Sequence, residues 1–222
     1  YEELVNALEC ENADMAISGF YKEFEGNGKT SVKVKNEKNV EPKVFGKEML
    51  LRYLYERDSY RAFAYIWDKL YKREVLYQDG KKPVFFDETI KLGGDVLFLA
   101  QCALRTNRAV YLDMSFYHYL QREDSGCHMP DLERRMDNIR AYKIVKKEFE
   151  ENQVDPFILD LIKRIMVYHS SNTAELALEL QDGKILETCQ QLMKKYEKEY
   201  RVLNGGRREW IRRFEDILQY KI

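Results

Sequence analysis

The stretch Lys91–Gln101, KLGGDVLFLAQ, sets one acidic side chain between a pair of glycines and a run apolar enough to be fully buried. Such a run after an Asp predicts a buried helix from Asp95 to about Leu104, hydrophobic almost all round. Two readings of the Asp95 carboxylate compete. As a helix N-cap it accepts hydrogen bonds from free N–H groups of the first turn and contributes about 1 kcal/mol. As a carboxylate at the lip of a site it is tuned for proton transfer. The stretch alone leaves both open.

The segments around it predict an α/β chain that is mostly helical. Upstream, Leu4, Val5 and Leu8 recur at helical spacing, Asn12 to Asp14 make a turn, and MAISGFY forms a strand. The lysine-rich segment that follows predicts a loop or weak edge hairpin around Ser31 to Lys35, and KEMLLRYLYERD a helix. YRAFAYIWDKLYKREVL predicts an amphipathic helix through Phe63, Ile66, Trp67, Leu70 and Tyr71, with a short extended piece later at Val84 to Phe86. Downstream, RAVYLD and SFYHYLQR alternate like two strands rich in aromatic and β-branched residues. From Asp131 onward come long helices, split at Asp155-Pro156, Asn172, Asp182-Gly183 and Gly205-Gly206. The expected organisation is a mixed part to residue 126 and a helical region over 127–222.

Composition excludes several classes. A net charge of −1 over 222 residues argues against a dedicated nucleic-acid binder. Cys10, Cys102, Cys127 and Cys189 are scattered, with no zinc-type pair and no secreted-type framework, which suits reduced thiols in a cytoplasm. His118, His128 and His169 show no ligand spacing, so no metal site is expected in this chain. No apolar run approaches the roughly 20 residues that span a bilayer. Sixteen Tyr supply flat amphipathic surfaces suited to cores, interfaces and sugar faces alike.

Two further polar clusters accompany Asp95. Gln121, Arg122 and Ser125 follow a strand, where a loop could offer a guanidinium and a hydroxyl to a phosphate; taken alone, a solvated turn is the simpler explanation. Trp67 and Tyr71 share a helical face with Asp68 and Lys69 to its side, an arrangement core packing also explains.

Taken in order, AYIWDKLYKRE, LGGDVLFLAQCAL and RAVYLDMSFYHYLQREDS resemble the second half of bacterial family 2 glycosyltransferases of the GT-A fold. That family shows a W-[ND]-K-L-[YF] segment, an E-D-x-x-F segment with the catalytic base, and an aromatic Y-x-Y strand followed by an arginine. Here these positions fall on Trp67 to Tyr71, on Asp95 with Phe98, and on Tyr117, Tyr119, Arg122 and Ser125. The opening segment YEELVNALECENADMAISGFY also looks like the helix and strand that follow the family's metal-binding motif.

The resemblance implies inverting transfer of a sugar from a nucleotide-diphosphate sugar to an acceptor hydroxyl in surface or capsular polysaccharide synthesis. Asp95 would be the base; Arg122, with Ser125 and Gln121, would face the donor diphosphate; Trp67, Lys69, Tyr117 and Tyr119 would lie on the acceptor side or serve structure. Gly94 departs from the family pattern by standing where a Glu precedes the base. The uridine-binding Asp and the D-x-D pair that holds Mn²⁺ or Mg²⁺ are absent, so the chain is expected to be part of a longer enzyme and inactive by itself.

Lys194 to Arg213 carries eight basic residues against three Glu, with Trp210 among them, and predicts peripheral contact with an anionic leaflet or plain solvated helix faces. The rival reading for the whole chain is a non-catalytic helical interaction module in which Asp95 only caps a helix.

Overall fold

The computed structural model describes residues 1–24, 32–33, 44–56, 61–121 and 130–221. They form two compact units, Tyr1–Asp87 with Asp95–Met129, and Glu88–Gly94 with Pro130–Ile222. The class is the one expected, α/β and mostly helical, with a small mixed sheet.

In the first unit, helix α1 (Glu2–Cys10) turns through Asn12, at φ 46, into strand β1 (Met15–Phe24). Leu4 and Leu8, one helical turn apart, pack on Ala13, Ala16 and Val110. The longest strand, β5 (Arg108–Gln121), runs parallel to β1. Asp14 sets their register, since its carboxylate accepts the N–H groups of Asn107 at 2.7 Å and Arg108 at 3.1 Å. Strand β3 (Val44–Gly46) lies antiparallel on the other edge of β5. On the free edge of β1, β4 (Lys69–Tyr71) pairs antiparallel with Met15 to Ile17, and β2 (Val32–Lys33) with Tyr21 and Lys22. Helix α2 (Lys47–Tyr55) follows β3, and α4 (Gly94–Arg105) leads into β5.

Two expectations for this unit need correction. The helix expected over Tyr60 to Leu76 is instead a 3-10 turn (Arg61–Ala64), the strand β4 and a short helix α3 (Arg73–Leu76). Pairing with β1 satisfies the β4 backbone in the sheet, and that overrides the helical spacing of the side chains. The two strands expected around Asp113 and Met114 are one, because β5 absorbs the irregularity as register shifts opposite Ser18 to Phe20. Gly19 permits this: a Cβ there would come within 3.0 Å of Ser115 Oγ and 3.4 Å of the Met114 carbonyl oxygen. The extended piece at Val84 to Phe86 pairs with no strand among the described residues; Val84 is buried while Phe85 and Phe86 stand exposed.

The second unit is helical: α5 (Leu132–Glu151), α6 (Pro156–Glu179), α7 (Gly183–Lys195), α8 (Glu197–Asn204) and α9 (Arg208–Gln219). Side chains of Asp131, Asp155 and Asp182 cap the first three, accepting from Arg134 N, Phe157 N and Ile185 N, and Pro156 fits the first turn of α6, where no N–H is needed. Helix α6 supplies the core with Leu161, Ile162, Met166, Val167, Ala174 and Ala177. It runs unbroken through Asn172, against expectation, because Asn172 Oδ1 is engaged by Arg213 at 2.6 Å and does not compete for the helix backbone. Among the described residues, no helix is long and apolar enough to cross a membrane.

His169 on α6 stacks on Tyr142 of α5, and its Nδ1 faces Asn138 Nδ2 at 3.1 Å. Burial, helped by the Arg135 charge, lowers its pKa from 6.5 to about 4. A depressed folded pKa makes the neutral ring stabilising above pH 6.5, and that stability drains away as pH falls toward about 4. Unfolding free energy should therefore drop over this window with a slope approaching ~1.4 kcal/mol per pH unit. Urea titrations of the protein and of His169→Gln check it; equal slopes for the two would remove His169 as the cause.

Candidate active site

The parallel pair β1 and β5 carries an aromatic cluster in its later halves. Phe20, fully buried on β1, meets Tyr65, Trp67 and Tyr119 edge-on, with ring centroids 5.1, 4.8 and 6.4 Å away. Trp67 stacks on Tyr65 at 4.6 Å, on Tyr117 at 4.3 Å and on Tyr119 at 4.9 Å. Phe20 forms the floor, and Tyr117, 38% exposed, reaches water. Stacked rings with polar rims offer flat apolar faces edged by hydrogen-bonding groups, the surface chemistry that matches a sugar ring.

The ion pair Asp68–Lys69 sits beside this cluster in sequence and holds it in place. The nitrogen and oxygen are 2.7 Å apart and both side chains are fully buried. Lys69 Nζ also donates to the Tyr65 carbonyl oxygen, which pins the Tyr65-to-Trp67 segment against the start of β4. The Asp68 carbonyl oxygen accepts from Ser18 N at 3.0 Å and from Ser18 Oγ at 3.3 Å, fixing the same segment to β1. Burial pushes the Asp68 carboxyl up to about 6 against the opposing pull of Lys69, and lowers the Lys69 ammonium against the pull of Asp68. Asp68 Oδ2 and the Tyr71 hydroxyl are buried without hydrogen-bond partners among the described residues.

Helix α4 starts at Gly94, one residue earlier than expected, so Asp95 lies inside the first turn instead of capping it. Its carboxylate is exposed and accepts the Val96 N–H at 2.9 Å. A negative charge there complements the positive end of the helix dipole. Three residues on, and so on the same face, Phe98 meets Tyr71 edge-on at 6.0 Å and stacks on Phe86 at 4.5 Å. The W-D-K-L-Y segment, whose last three residues form β4, and the helix bearing Asp95 are thereby packed together. Behind Asp95, Leu97, Leu99, Ala100, Cys102 and Ala103 are buried and fix the helix.

The glycine pair before Asp95 has its own cause. Gly93 adopts φ 91 in the Glu88–Gly94 segment, and a Cβ there would lie 2.6 Å from Asn138 Oδ1 and 3.1 Å from Ala141 Cβ of α5. The Lys91 N–H in this segment donates to Asp137 at 3.0 Å. Gly93 is therefore required by close backbone approach within the second unit.

Of the residues singled out in the sequence, Trp67, Tyr117 and Tyr119 come together directly, and Lys69 supports them. Gln121 ends β5. Arg122 and Ser125, with Cys127 and His128, lie outside the described residues. His118 stacks on Tyr21 and pairs with Glu23 at 2.8 Å. Phe20 and Tyr65 are the members of the cluster that sequence reasoning misses, since each looks like an ordinary aromatic of its own segment until the fold brings the rings together. Among the described residues, no group of three or more His, Cys, Asp or Glu side chains could hold a metal ion, so those residues do not fit the Mn²⁺ or Mg²⁺ that the resemblance implies.

No family model matches the chain, and no curated protein matches it. Among solved structures it is similar to TarS residues 1–349 of S. aureus in complex with UDP-GlcNAc, with a TM-score of 0.53 and 15% identity. The alignment covers 94% of this chain and 63% of that one, so the chain spans less than two thirds of its structural neighbour. At that identity the likeness shows a shared fold alone.

Proposed function

We propose that the chain is the acceptor-side part of an inverting glycosyltransferase that acts on a nucleotide-diphosphate sugar in surface or capsular polysaccharide synthesis. The observation that carries this reading is the packing of the W-D-K-L-Y segment, through Tyr71 and Phe98, on the helix whose first turn presents Asp95. The glycosyltransferase-like fold and the UDP-GlcNAc bound by the structural neighbour support it. In this reading Asp95 takes the proton of the acceptor hydroxyl as that oxygen bonds to the anomeric carbon. The bond from that carbon to the diphosphate breaks on the opposite face, and its electron pair leaves with the nucleotide. The Trp67, Tyr117 and Tyr119 rings hold the acceptor sugar, and Arg122, Ser125 and Gln121 face the departing phosphate.

Mn²⁺ or Mg²⁺ belongs to the donor-binding half, which this reading places outside the 222 residues, and no step here runs through it. A lipid-linked acceptor would bring the protein to the cytoplasmic face of a membrane. Part of the basic segment is already spent, however: Arg201 pairs with Glu197 and Glu215, Arg213 pairs with Glu175, and Trp210 stacks on Tyr168.

Incubating the whole encoded protein with labelled nucleotide-diphosphate sugars and saccharide acceptors should release nucleotide and move label to the acceptor, whereas the 222 residues alone should do neither. A folded whole protein that transfers from no donor would favour the interaction-module reading. Turnover by the 222 residues alone would overturn the division of labour.

A further inference from the structure

In the second unit, α5 and α7 flank a cavity of about 290 Å³. Lys143, Lys146 and Lys147 line it from one face of α5, together with Glu150; Lys195 and Tyr196 close it from the end of α7. Four lysines line it against one carboxylate, Glu150, which leaves an excess of positive charge. Lys146 is paired with that carboxylate, Glu150, at 2.5 Å. Lys147 reaches Glu151 only at 3.7 Å, with both side chains more than half exposed, a contact that water largely screens. Among the described residues, Lys143 and Lys195 have no carboxylate partner; the Lys195 ammonium rests 5.4 Å from the Tyr196 ring centre.

Ammonium groups that converge on a concave surface without compensation raise its positive potential, and a multiply charged anion relieves their repulsion. The residue type narrows the ligand. Arginine's planar fork matches a flat carboxylate, whereas lysines are compact point charges with rotatable donors that can surround a tetrahedral oxyanion from several sides. The helix dipole accounts for Lys195 in the last turn of α7, but Lys143, Lys146 and Lys147 lie inside α5, away from its end. We infer that the groove between α5 and α7 binds phosphate groups, carried either by a soluble phosphate ester or by an anionic lipid headgroup. The site lies wholly on helices of the second unit and stands apart from the transferase reading.

The test uses inorganic pyrophosphate by calorimetry and vesicles of phosphatidylglycerol in phosphatidylcholine by co-sedimentation. Lys143→Gln, Lys147→Gln and Lys195→Gln combined, all at exposed positions, should weaken binding about tenfold or more. A control with Lys184→Gln, Lys198→Gln and Lys221→Gln removes the same charge from exposed positions outside the groove. Loss confined to the groove variant supports the site, and the arm that shows it identifies the source: pyrophosphate a soluble ester, vesicles a headgroup. No saturable binding in either arm, or equal loss in the control variant, overturns it.

Discussion

Lys69→Ala should lower folding stability by about 3–5 kcal/mol, the range for removing one partner of a buried ion pair. The side chains of Asp68 and Lys69 are both fully buried and 2.7 Å apart, so truncation strands a carboxylate in a dry site. Asp68 Oδ2 already lacks a hydrogen-bond partner among the described residues, which leaves Asp68 little local compensation. Protonation of Asp68 limits the loss, since burial has already raised its pKa to about 6. The Tyr65 carbonyl oxygen loses its ammonium donor at the same time. Trp67 should therefore loosen from Tyr117 and Tyr119, and its fluorescence should shift red in a Trp210→Phe background. Replacing both charges by Asp68→Asn with Lys69→Met should cost less than Lys69→Ala, because no charge is left uncompensated. Urea midpoints at constant slope read the difference. A loss below about 1 kcal/mol for Lys69→Ala would mean that the pair behaves as a solvated one.

The same residues show where the sequence can be read and where it cannot. Elements whose signals are local are legible: the helix boundaries at Asp131, Asp155-Pro156 and Asp182-Gly183, where the structure has Asp caps, and the apolar run of α4. Each depends on side chains bonding or packing within a few residues of themselves. In the segment from Phe63 to Tyr71, Phe63, Ile66, Trp67 and Leu70 fit the spacing of one helix, yet a 3-10 turn ends at Ala64 and a strand begins at Lys69. The decision comes from β1, more than fifty positions away, whose Met15 to Ile17 backbone pairs with β4. Lys69 adds to the ambiguity, since a lysine in a strand looks like a solvent-facing residue until Asp68 is seen beside it in the interior. The aromatic cluster is half legible for the same reason: Tyr117 and Tyr119 mark a face of β5, but only the turn into β4 brings Trp67 onto it.

In the whole encoded protein, Asp95→Asn should reduce kcat about 10²–10⁴-fold, the usual contribution of a positioned general base. Stability should change by less than about 1 kcal/mol, the scale of one charge at a helix terminus. The separation of these two effects follows from the geometry. Asp95 is exposed in the first turn of α4 and, among the described residues, accepts one hydrogen bond, from Val96 N at 2.9 Å. An Asn oxygen can accept the same bond, and the buried residues behind it still hold the helix, so the fold loses little. What Asn cannot do is take a proton from an alcohol. KM for the acceptor should stay within about threefold, because the aromatic rings of Trp67, Tyr117 and Tyr119 are untouched and uniform binding is retained. Asp95→Glu keeps a carboxylate but moves it by one methylene, and should fall between the two. Thermal melts run beside initial rates separate the readings. Unchanged kcat in a stable Asp95→Asn protein would leave Asp95 as a structural residue of the first turn, and a rate loss that tracked a fall in Tm would point the same way.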